Sequence, residues 1–197
     1  MNKFRKLLPI RTCTKSYSTH HAFKEYIRID FNKKCGYCDD LDLINGGKRS
    51  YQVDHFVPMK PENFKVTIKS NDYANLVYTC PFCNRAKWNK WPTNNEKIHN
   101  DGKIGFLDPC SKDYETHFYR NHKGEIIPKT PLGIHMHREI NLYLKRHAVL
   151  WNIEKLKSQI DILKKMTKKL TTNQQSKLND LLLKHSNYLD YLEIEND

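Results

Sequence analysis

Apolar residues recur four apart at Phe23, Ile27 and Phe31 and line one face of a helix predicted over about Thr19 to Phe31. The pattern then changes. After the turn signal Asn45-Gly46-Gly47, the run RSYQVDHFVP is rich in β-branched and aromatic residues and reads as a strand ended by Pro58. Polar residues from about Lys60 to Asp72 carry no period. The apolar run ANLVYTC follows, and Asn84 to Trp91 reads as a short helix stopped by Pro92.

Beyond Asp101 the chain is rich in Gly, Pro, Asp and His as far as Pro131, which predicts an irregular segment with a short hairpin turning at Lys123-Gly124. From about His137 it becomes helical. Val149, Ile153, Leu156, Ile160, Leu163 and Leu170 keep a three-four spacing, broken at Thr167. Leu178, Leu181, Leu182, Tyr188, Leu189 and Leu192 repeat that spacing after TTNQQ. An antiparallel helical hairpin is the simple reading, serving as core, dimer seam or docking surface. The only internal repeat is a pair of C-x-x-C knuckles.

Length and composition narrow the class. A chain of 197 residues with 38% hydrophobic and 11% aromatic residues can bury a real core, and no apolar run approaches the roughly 20 residues of a membrane span. The N-terminus lacks the apolar segment and cleavage site of a secretory signal, so a cytoplasmic location is expected. A net charge of +12 and a pI near 9.4 favour a polyanionic partner. Part of the excess sits at Lys164, Lys165, Lys168 and Lys169, where a charged run also suits a solvated helix face.

The cysteines sharpen this. Cys35 and Cys38 form CGYC, and Cys80 and Cys83 form CPFC, together the four thiolates of a closed tetrahedral zinc site. Cys13 and Cys110 stand alone and are expected to be ordinary buried thiols. Residues 39–79 between the knuckles exceed the roughly 15–20 positions of a compact zinc ribbon, so something folds inside the loop. One zinc would hold the strand carrying Asp54 and His55 beside the helix carrying Asn84.

At a strand end Asp54 can bind a hard cation through oxygen while His55 reaches a water beside it. The amide oxygen of Asn84 suits Mg²⁺ as a neutral second ligand, although Asn84 could equally cap the helix that follows Cys83. An imidazole with an unperturbed pKa near 6.5 suits a general base. Arg85 and Lys87 are candidate phosphate contacts near a helix N-terminus. His117, His122, His135 and His137 match no usual ligand spacing and are expected to be scattered surface or hydrogen-bonded residues.

CGYC, VDHFVP and NLVYTCPFCNRAK together resemble the HNH (ββα-metal) nucleases of the subgroup that carries zinc on four cysteines, over about Cys35 to Lys87. The resemblance implies a ββα-metal core with a structural zinc, and with the flanks read from their apolar period the expected fold is α+β, mainly helical outside the core and ending in a C-terminal helical hairpin. Its segments would be a lead-in helix (1–34), the nuclease core (35–100), an irregular extension (101–136) and the hairpin (137–197). It implies a DNA phosphodiester hydrolase, with RNA also open, in which His55 activates water and Asp54 and Asn84 hold one Mg²⁺ or Mn²⁺. Asn75 would orient His55 through a backbone contact. Asn84 stands where that subgroup commonly has His, and oxygen ligands favour Mg²⁺ or Mn²⁺ over softer ions. The stretch from Gly105 to Arg146 is similar to the downstream extension of bacterial anti-phage HNH proteins, some of which work beside an ATPase subunit. That implies an ATPase or regulatory partner. The rival readings are a non-catalytic zinc-stabilised nucleic-acid-binding module and a nuclease subunit active only with its partner.

Overall fold

The computed structural model describes residues 2–166 and 170–194. Thr167, Lys168 and Lys169, which entered the sequence reading, lie outside the described residues.

A 3-10 turn at His20–Phe23 runs into α1 (Lys24–Asp30), and Phe23, Ile27 and Phe31 are buried as their spacing requires. The first knuckle follows directly. Its Gly36 sits so close to α1 and the sheet that an added Cβ would lie 2.6 Å from the Phe31 ring and 2.7 Å from Val77, so no larger residue fits. A short helical turn, α2 (Gly47–Ser50), precedes β1 (Gln52–His55), so the strand is shorter than RSYQVDHFVP suggested. β1 pairs antiparallel with β2 (Leu76–Thr79), setting Gln52 opposite Thr79, Asp54 opposite Val77 and His55 opposite Leu76.

The helix after the second knuckle, α3 (Pro81–Lys87), begins earlier than the pattern indicated. Pro81 is at home in a first helical turn and Cys80 caps it, its Sγ accepting from the Cys83 N–H at 3.4 Å. The cap is therefore Cys80 and not Asn84. The helix ends at Trp88, which takes a left-handed φ of +47°, before Pro92 is reached.

The extension is more regular than expected. After α4 (Tyr114–His117), β3 (Phe118–Arg120) and β4 (Ile126–Pro128) form the hairpin, turning through Gly124 at φ +87°. Helix resumes at α5 (Pro131–Glu139), ahead of His137, because Thr130 caps Gly133 and Pro131 takes the first turn. Arg120 is buried, and its guanidinium donates to the carbonyls of Phe4, Gly124, His147 and Cys38 at 2.6–3.4 Å. One side chain thus joins the N-terminal segment, the hairpin turn, the C-terminal helices and the first knuckle.

α6 (Lys145–Lys165) and α7 (Thr172–Ile194) form the helical hairpin. The first turns of α6 bury Arg146, His147, Ala148, Val149, Leu150 and Ile153, whereas Ile160, Leu163, Leu178 and Leu181 make a separate small core at the other end. Leu182 and Leu189 are exposed, contrary to the apolar face drawn for α7. A two-helix seam needs only a narrow stripe, and both residues fall one position past it. No helix among the described residues is long and apolar enough to cross a membrane.

Candidate active site and zinc centre

The sulfur atoms of Cys35, Cys38, Cys80 and Cys83 lie within 4.8 Å of one another, all buried, with Cys38 and Cys80 3.8 Å apart. Thiolates about 2.3 Å from a tetrahedral centre stand roughly 3.8 Å from each other, so this donor set fits zinc and leaves no open position. Cys13 and Cys110 are half-buried, less enclosed than expected. Cys38, Asp40 and His147 also cluster. Both His147 nitrogens are spent, however, on Asp40 (2.6 Å) and the Asn141 carbonyl (3.1 Å), so the cluster braces the knuckle and is not a second metal site.

The sheet delivers the remaining groups. Gln52 and Asp54 are two apart on β1 and share a face, while Asn84 and Lys87 are three apart on α3 and share a face. Those faces meet. Asn84 donates from its amide nitrogen to Gln52, and Lys87 Nζ lies 3.5 Å from Asp54 Oδ2. The Tyr37 hydroxyl, from inside CGYC, donates to the same Oδ2 at 3.0 Å. Among the described residues neither Asp54 Oδ1 nor Asn84 Oδ1 accepts a protein hydrogen bond. Two uncommitted oxygens on facing elements, one carboxylate and one amide, are a donor set suited to Mg²⁺ or Mn²⁺.

Burial dominates the electrostatics here. It raises Asp54 above the usual carboxylate range, a shift that Lys87 and the Tyr37 hydrogen bond oppose. It lowers Lys87 below the usual lysine range, against the pull of Asp54. Lys87 is 0% exposed and also donates to the His55 carbonyl at 3.0 Å, so it is not the surface phosphate contact expected from its position beside Arg85. Its i+3 relation to Asn84 turned it inward. Arg85 points to solvent.

His55 ends β1 on the opposite side from Asp54. Its Nε2 lies 2.7 Å from the Ser70 carbonyl. A carbonyl can only accept, so Nε2 carries the proton and Nδ1 of the neutral ring keeps its lone pair. Buried Asn75 sits opposite this strand end. It accepts from the Val57 N–H at 2.8 Å and donates to the Val57 carbonyl at 2.9 Å, while its own carbonyl accepts from Phe56. The chain leaving His55 is therefore clamped. The His20 ring stands edge-on to His55 at 4.7 Å between centroids.

His117 bonds Thr130 and His137 bonds the Ile126 carbonyl, His122 is exposed, and none of the four later histidines joins a metal-ready cluster among the described residues. Tyr37, Gln52, Ser70 and His20 were missed from sequence. Only Gln52 had a signal, its same-face spacing from Asp54.

The chain is 27% identical over 141 residues to the Septu protein PtuB of Bacillus mycoides (strain KBAB4), covering 58% of this chain and 46% of that protein. It thus spans about half the length of the curated relative it matches. No solved structure matches it. Residues 35–90, which hold both knuckles, β1, β2 and α3, match the HNH endonuclease family.

Proposed function

We propose that the chain is a metal-dependent HNH endonuclease that hydrolyses DNA phosphodiester bonds. The observation that carries the reading is the His55 tautomer: Nε2–H is committed to Ser70, leaving Nδ1 as the base at the end of the strand that also carries Asp54. His55 Nδ1 takes a proton from the attacking water, Asn75 keeps the strand end in place, and Arg85 meets the substrate backbone. Mg²⁺ or Mn²⁺ on Asp54 and Asn84, when bound, supplies charge neutralisation at the phosphate. The products are a 5′-phosphate and a 3′-hydroxyl. Zinc on the four cysteines is structural.

The test is cleavage of supercoiled plasmid by wild type and His55→Ala, with Mg²⁺, with Mn²⁺ and with EDTA, after zinc content is measured. Metal-dependent cutting that falls by roughly 10² to 10⁴ in the variant supports the base assignment. Equal cutting by a zinc-loaded variant refutes it. Binding without cutting by either protein favours the non-catalytic zinc module.

The match to a Septu protein PtuB, with the resemblance of residues 105–146 to anti-phage HNH proteins, favours a role as a defence effector working beside an ATPase. Co-purification of a larger ATPase from the native host supports that role, and a monomer fully active alone argues against it.

A further inference from the structure

His20 lies outside the matched domain, in the 3-10 turn before α1, yet its ring packs edge-on against His55. Its place is fixed on both sides. Phe23 is buried against Tyr73, with ring centroids 5.0 Å apart, and against Tyr17 at 4.9 Å, while Asn71 donates to the Tyr17 carbonyl at 2.6 Å. Residues 17–23 are thus braced on residues 71–73, the same stretch of chain whose Ser70 holds His55.

Among the described residues no hydrogen bond engages either ring nitrogen of His20 or of its exposed neighbour His21, whose ring lies 3.9 Å from that of His20. His137 and His147, by contrast, each donate a ring N–H to a backbone carbonyl. A second metal is not favoured, because these imidazoles are not among the metal-ready clusters of the described residues. A neutral imidazole still offers one N–H donor, and burial, more than its histidine neighbours, holds His20 below the usual histidine range.

We infer that His20 is a substrate-binding residue, donating a hydrogen bond to a phosphate oxygen of the nucleic acid held at His55. The inference rests on the nuclease reading and extends the site beyond residues 35–90. The lead-in segment then supplies part of the substrate cleft.

The test compares wild type, His20→Ala, His20→Gln and His21→Ala in Mn²⁺-dependent plasmid cleavage, with anisotropy titration of a fluorescein-labelled DNA duplex as an arm that needs no chemistry. Zinc content and thermal unfolding are checked first. His20→Ala should raise KM and the duplex Kd roughly tenfold, as expected for a lost hydrogen bond to a charged group. His20→Gln, which keeps a donor, should recover part of that loss and decides the matter if the alanine variant fails to fold. His21→Ala should stay within about twofold, as for an exposed residue that does not touch His55. Unchanged KM and Kd overturn the contact, and so does a fall in kcat alone, which would make His20 a support for the His55 ring. A wild type that binds the duplex without cutting it counts against a nuclease active by itself, while Kd still judges His20. Failure to bind overturns both.

Discussion

Lys87 Nζ stands 3.5 Å from Asp54 Oδ2, with the lysine side chain fully enclosed and the aspartate 12% exposed. Removing either partner leaves the other charge buried and alone, at a cost of roughly 3–5 kcal/mol, whereas removing both costs far less. Urea unfolding of the zinc-loaded protein, without other divalent cations, should show Lys87→Met strongly destabilised and Asp54→Asn/Lys87→Met close to wild type. Added Mn²⁺ should raise the Tm of Lys87→Met more than that of wild type, because a cation on Asp54 restores the missing charge. Additive losses in the double variant would show that the two side chains do not interact.

The same pair sets a pH signature. Lys87 has a folded pKa below its ordinary 10.5, so between those values the unfolded chain binds more protons, and this contribution improves as pH rises through that window. Asp54 has a folded pKa above its ordinary 3.8, so the native state binds more protons there and stability falls as pH climbs through that window. Each partner moderates the other. Asp54→Asn should therefore gain stability from neutral to alkaline pH relative to wild type, and Lys87→Met should lose it from acid to neutral pH. Chemical denaturation across pH measures both slopes, and parallel curves for all three proteins would refute the coupling.

Asn75 is buried and makes two hydrogen bonds to Val57, two positions past the candidate base. Asn75→Ala orphans a buried N–H and a buried carbonyl, each worth about 1–3 kcal/mol. On the proposed mechanism Asn75 acts through His55 and not on substrate, so kcat should fall while KM holds. A variant with lower Tm but wild-type kcat would show that the clamp is structural only.

These three expectations also mark how far the sequence could be read. The knuckles, the strand ending at His55 and the helical hairpin were legible because ligand spacing and apolar period report directly on local structure. The direction of Lys87 was not. It depends on which face of a seven-residue helix meets β1, and that is set by the gathering of Cys80 and Cys83 with Cys35 and Cys38. Nothing local marked Tyr37, because its hydroxyl meets Asp54 only when the knuckles come together. His20 comes from far outside the motif, and no local pattern links it to His55. The start of α3 was misread because a cysteine, an unusual cap, replaced the usual Ser or Asp, whereas α5 begins with the ordinary signals Thr130 and Pro131.

Zinc removal should be read by thiol alkylation with mass spectrometry. With zinc bound, the four buried knuckle thiols should resist iodoacetamide, and Cys110, whose thiol burial pushes up to about 12, should react slowly near neutral pH. Cys13 should then react first. A chelator should expose all of them in one step with loss of helical signal, since closing the knuckles is what joins β1 to α3. Stepwise labelling of the knuckle cysteines with retained structure would mean that the fold does not depend on the metal.

The C-terminal helices reach the zinc centre through two adjacent residues. His147 bonds Asp40, two positions past Cys38, and the Arg146 guanidinium lies 3.5 Å from the centre of the Phe82 ring, between Cys80 and Cys83. α6 is thus joined to both knuckles at once. His147→Ala breaks a fully buried pair and should cost roughly 3–5 kcal/mol. Hydrogen exchange should show the first turns of α6 and residues 35–40 losing protection together. The cluster of Ile160, Leu163, Leu178 and Leu181 should keep its protection, because it is a separate core. Arg146→Ala should have a smaller effect, centred on α3. If instead the whole hairpin exchanges as one unit while residues 35–40 are unchanged, α6 is an appendage. A partner that grips the hairpin could then not act on the zinc centre through it.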